Sequence, residues 1–119
     1  MDSSSAEQAR PVLVFVHGMY MTPASWQGWR AHFEVLGYET LAPSWPGREG
    51  APAALRKRPD PALRDLQLAD VVEVYRQAIA DLGDREVVLV GHSMGGLVVQ
   101  LLLQEQLAVA GVAISSAPP

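Results

Sequence analysis

The sequence predicts an α/β fold, a three-layer sandwich in which a short, mostly parallel sheet of about four strands carries helices on both faces. Three observations predict it. Short apolar, β-branched runs recur along the chain, segments with apolar residues at helical spacing fall between them, and the two kinds alternate. That alternation is what right-handed crossovers turn into a parallel sheet. At 119 residues the chain has the length of one ordinary domain, and such a domain buries about two-thirds of the surface its unfolded chain exposes. Hydrophobic residues make up 49% and charged residues 18%, far from the composition of a disordered chain.

The elements follow in order. Residues 1–10, MDSSSAEQAR, are polar and are expected to form a disordered leader, with 11–119 a single domain. VLVFV at 12–16 is a continuous apolar run, the pattern of a strand buried on both faces. After the loop HGMYMTP, Thr22 before Pro23 reads as a helix N-cap with proline in the first turn. Trp26, Trp29, Phe33 and Leu36 then recur at spacings of three and four, and the helix stops at Gly37. YETLAP at 38–43 is a weaker, alternating strand suited to an edge.

Residues 44–64 are rich in proline and form a long irregular connection of the kind that often serves as a rim or lid. Leu68, Val71, Val72, Tyr75, Ile79 and Leu82 lie on one helical stripe ended by Gly83. EVVLVG at 86–91 is the next buried strand, 95–107 a helix apolar on most sides, and VAGVAIS at 109–115 a fourth strand. Every chemically interesting group falls on a loop after a strand, the end of an open α/β sheet where ligands bind.

One such loop carries GHSMG, Gly91 to Gly95, straight after a buried strand and straight before a helix. This is the G-x-S-x-G pattern of a nucleophile elbow. A serine at such a turn sits in strained backbone, and the positions two before and two after must be small for strand and helix to pass. The helix that follows aims its amino terminus at the site and favours developing negative charge.

With FVHGMY after the first strand, the chain resembles the α/β-hydrolase fold enzymes, specifically small bacterial esterase and lipase-like serine hydrolases. The likeness runs through HGMYMTPASWQGW, GYETLAPSWPGREG and VVLVGHSMGGLVVQLLL, and covers the amino-terminal half of that fold. It implies a carboxylic ester or related acyl bond as substrate, with Ser93 as nucleophile. The backbone N–H groups of Met19 and Met94 are the implied oxyanion donors, with His17 and Gly18 shaping the loop, Gly91 and Gly95 framing the elbow, and the His92 side chain pointing back into the protein. It also implies a strand order of 38–43, 12–16, 86–91, 109–114. A serine at position 93 sets the chain apart from relatives that use aspartate there.

The resemblance also calls for an acid and then a histidine after the serine. The residues after Ser93 hold neither aspartate nor histidine, and their one acid, Glu105, is about three turns into the helix. His17 belongs to the loop, His32 to the middle of the first helix, and His92 is beside the serine. Without a base, a serine hydrolase loses most of its effect, on the order of a million-fold. The expectation is therefore a domain lacking its carboxyl-terminal half. It would work as a homo-oligomer or with a complementary hydrolase segment that covers the open sheet edge and the apolar helix 95–107. The competing reading is a catalytically incomplete module that assembles or binds.

The remaining composition excludes other classes. A net charge of −4, with Arg56-Lys57-Arg58 the only basic cluster, gives no footprint for nucleic acid. There is no cysteine, no run long enough for a membrane span, and no sign of a metal or cofactor. The polar amino terminus leads to the expectation of a cytoplasmic protein. Trp26, Trp29 and Trp45 are candidates for an acyl pocket, although the first two share the helix stripe and read as core.

Overall fold

The structure, a computed structural model, describes residues 10–18, 21–45 and 68–116. Four strands, β1 (Val12–Val16), β2 (Thr40–Leu41), β3 (Val87–His92) and β4 (Ala110–Ile114), form one sheet in the order β2-β1-β3-β4 with every pairing parallel. Among the described residues three α-helices cover it: α1 (Gln27–Val35), α2 (Leu68–Asp81) and α3 (Met94–Gln104). The predicted sandwich and strand order are both present.

β1 is buried along its length because it lies inside the sheet with helices on both sides. Its alternation sorts the core. Val12, Val14 and Val16 join one apolar cluster with Val71, Val72, Tyr75 and Ile79 of α2 and Val98, Val99 and Leu102 of α3. Leu13 and Phe15 join the other, under Trp26 and Phe33. Among the described residues, one face is thus closed by two helices and the other by one.

Thr22 acts as the expected cap, its Oγ1 accepting from the Ala24 N–H at 3.3 Å, but the turn it opens, Pro23–Trp26, is 3-10. Removing that acceptor in Thr22→Ala is expected to cost about 1 kcal/mol. Thermal denaturation followed by circular dichroism should show a midpoint lower by about 4 °C. Because α1 starts only at Gln27, the stripe expected to be core is split: Trp26 is buried, while Trp29 is 47% exposed.

The expected strand 38–43 shrinks to Thr40–Leu41. Tyr38 is drawn to the end of α1, its N–H donating to Phe33 O at 3.1 Å, and Pro43 has no N–H to extend a ladder. Arg10, expected in the leader, instead donates to Leu36 O at 2.7 Å and stacks over Tyr38. Residues 1–9 and the proline-rich connection from 46 on, including the basic cluster, lie outside the described residues.

α3 is better covered than its composition suggested. It packs between the sheet and α2, and none of the strongly exposed large apolar side chains among the described residues belongs to it. Exposure falls instead on β4, whose residues 110–113 are open. Val112 pairs in register with Val90, so Ala110 and Val112 are open on the face of α1, while Gly111 and Ala113 alternate to the face of α3.

Candidate functional site

Ser93 follows β3 directly and has φ 58° and ψ −123°, a conformation that side chains rarely adopt. The turn is held on both sides. The Ser93 N–H donates to Ile114 O at 3.1 Å, and its carbonyl accepts from the Gly96 N–H at 2.9 Å. Such strain persists only where the surroundings over-determine it, and here two glycines do so. A Cβ on Gly91 would overlap the Gly95 carbonyl, and one on Gly95 would overlap Val16 O and stand 2.6 Å from His17 O. β1, β3 and α3 therefore meet at backbone contact.

Met94 opens α3, so its N–H belongs to the first turn, where no intrahelical acceptor exists. Its side chain packs on the core of α2 and α3. Met19, the other expected oxyanion donor, lies outside the described residues. The loop after β1 reaches the same place: a Cβ on Gly18 would stand 3.5 Å from Ser93 Cβ, ordinary contact distance. Gly18, Gly91, Ser93, Met94 and Gly95 are thus gathered at the carboxyl ends of β1 and β3.

His17 is buried, and both its ring nitrogens are engaged. The Trp45 N–H donates to Nε2 at 3.1 Å, and Nδ1 is 2.8 Å from Gly18 O. A backbone N–H can only donate, so Nε2 is the bare nitrogen and Nδ1 carries the proton. The imidazole also stacks on Trp45, ring centres 4.9 Å apart. His17 is a fastener of the loop.

His92 differs from what the resemblance implied. The alternation of β3 puts it on the α1 face after Val88 and Val90, and it is exposed. There it lines a cavity of about 160 Å³ with His17, Gly18, Met21, Trp26 and Trp29. Of the three tryptophans expected near an acyl pocket, Trp26 and Trp29 border this cavity and Trp45 is buried behind His17. His32 is exposed on α1.

Glu105 caps the far end of α3 and is taken up by Arg76, which meets it with two 2.9 Å hydrogen bonds and also contacts Glu73. Hydrogen bonding from Arg76 lowers the Glu105 pKa, and the two acids raise that of Arg76. As an exposed pair this adds little stability. Among the described residues no group of three or more histidine or acidic side chains is placed to hold a metal, and no helix is long and apolar enough to cross a membrane.

Sequence reasoning placed Trp45 as pocket lining and Tyr75 as core. The Tyr75 hydroxyl in fact donates to Pro43 O at 2.9 Å, two residues before the Trp45 that holds His17. Burial raises the Tyr75 pKa far above its ordinary value, opposed in part by the Trp45 side chain and the His17 backbone, so the phenol stays a donor. No local pattern signals a contact between residues 32 apart.

The profile of the alpha/beta hydrolase family matches residues 13–119. Among solved structures, an extracellular alpha/beta-hydrolase from a Paenibacillus species superposes with a TM-score of 0.72 at 20% identity, covering 92% of this chain and 42% of that one. Tomato methylketone synthase I, solved with 2-tridecanone, gives 0.72 at 22% identity over 92% and 41%. A monoacylglycerol lipase from Paleococcus ferrophilus gives 0.72 at 24% identity over 92% and 40%. No curated protein matches the chain by sequence. The likeness is one of fold, and the chain spans about two-fifths of the length of these structures. The Paenibacillus protein is extracellular, which overturns the expectation of a cytoplasmic protein: a polar amino terminus does not set the compartment of this fold.

Proposed function

The chain belongs to the alpha/beta-hydrolase family, whose members include ester-hydrolysing enzymes, and from that premise we propose that it is a serine hydrolase acting on carboxylic esters or a related acyl bond. Ser93 attacks the carbonyl carbon. The N–H groups of Met94 and Met19 receive the oxyanion, and base and acid come from a complementary hydrolase segment or a second copy. The observation that carries this reading is the backbone of Ser93, φ 58° and ψ −123°, with Gly18 beside it. Strain of that kind costs about 1–3 kcal/mol and collects at functional sites.

A fluorophosphonate probe tests it. Mass spectrometry of protein held with excess probe at about pH 9, where hydroxide takes the place of the base that the described residues do not supply, should find one adduct, on Ser93, and none in Ser93→Ala, where the turn is kept and the hydroxyl is gone. Folded protein that forms no adduct would overturn the proposal. The second reading, a module that assembles or binds without catalysis, is favoured by His17, whose two ring nitrogens are already committed. It would then be the one left.

A further inference from the structure

We propose that Tyr75, on α2, is a positioning residue for the loop that faces Ser93, acting through Pro43, Trp45 and His17. Its functional consequence rests on the reading of Ser93 as nucleophile; the contacts stand by themselves. The Tyr75 hydroxyl donates to Pro43 O at 2.9 Å. Two residues on, the Trp45 N–H donates to His17 Nε2 at 3.1 Å. His17 Nδ1–H then donates to Gly18 O at 2.8 Å, and Gly18 lies against Ser93.

Each link limits the next. Pro43–Trp45 leaves a strand whose ladder partners among the described residues are Leu13 and Val14, a short hold in the sheet. If that segment shifts, Nε2 loses its donor, and the Gly18 carbonyl alone is left to hold the proton on Nδ1, so the tautomer is less firmly fixed and the ring is freer to turn. Gly18 O is then less firmly held. The hydroxyl of Tyr75 is not needed for packing, since phenylalanine would fill the same fully buried site without desolvating a polar group. The hydrogen bond to Pro43 accounts for it.

Tyr75→Phe removes only that hydroxyl. Its fluorophosphonate labelling rate at Ser93 should fall by about tenfold or more, the scale on which small misplacements act. Ile79→Val, one turn along the same helix, loosens the core without touching Pro43 and should label like the parent protein. Equal rates in Tyr75→Phe and parent, or an equal fall in both variants, would overturn the proposal.

Two further readouts do not depend on labelling. In nitrogen-15 spectra the parent His17 should show the single Nδ1–H tautomer, and Tyr75→Phe a mixture. An unchanged tautomer overturns the positioning role even if no protein labels, a result that separately defeats the nucleophile reading. If Tyr75→Phe does not fold, hydrogen exchange on the parent decides. The Trp45 N–H should be protected well beyond its loop neighbours, and rapid exchange there would sink the idea.

Discussion

Gly95→Ala is expected to remove most of the stability of the fold and all labelling of Ser93. The added Cβ meets the Val16 and His17 carbonyls, and these belong to the central strand and the loop after it, which cannot move aside. Overpacking usually costs about 1–3 kcal/mol, and a clash with fixed backbone belongs at the upper end or beyond. A melting midpoint lower by about 12 °C, or failure to fold, is the expected outcome. Gly28→Ala is the matched control. A Cβ there meets nothing within 4 Å, and alanine in a helix gains about 0.5–1 kcal/mol over glycine. If both variants melt alike, the close approach of α3 to β1 is not what holds the elbow.

The rate of adduct formation on Ser93 should rise about tenfold with each pH unit between roughly 6 and 9 when the chain is studied without a partner. The sign follows from the nucleophile. Only the deprotonated hydroxyl attacks, and with no base to take the proton its population grows with hydroxide. A histidine base would instead level the profile above a pKa near about 6.5. The described histidines are poorly placed for that: His17 is committed at both nitrogens, His32 is exposed on α1, and His92 faces the α1 side of the sheet. Glu105 is held by Arg76 at the other end of α3. A plateau in the measured profile would show that one of these histidines does act, and His92→Gln would identify it.

Much of this was legible in the sequence because it depends on neighbours in the chain. The strands at 12–16 and 86–91 announce themselves as unbroken apolar runs, and the elbow is a five-residue pattern whose geometry the turn imposes. What stayed hidden depends on phase or on distance. Four residues of 3-10 turn before α1 were enough to rotate Trp29 out of the core expected of it. His92 was misjudged because β3 runs one residue further than expected, and its alternation turns the side chain to the α1 face, where it borders the cavity with Trp26 and Trp29. The Tyr75–Pro43 and Trp45–His17 contacts join segments 32 and 28 residues apart, and no spacing rule reaches that far.

The parallel pairing of β1 with β3 bears on how the chain is made. Val12 meets Val87, so the strand at the centre of the core is synthesised long before its principal partner. At about 5–20 residues per second, those 75 residues take roughly 4–15 s to emerge. Throughout that interval, among the described residues, VLVFV has only the short β2 to pair with, and it is a segment a nascent-chain chaperone has reason to hold. Slowing translation ahead of residue 87 should lengthen that dependence, and a circular permutant that joins β1 and β3 in sequence should shorten it.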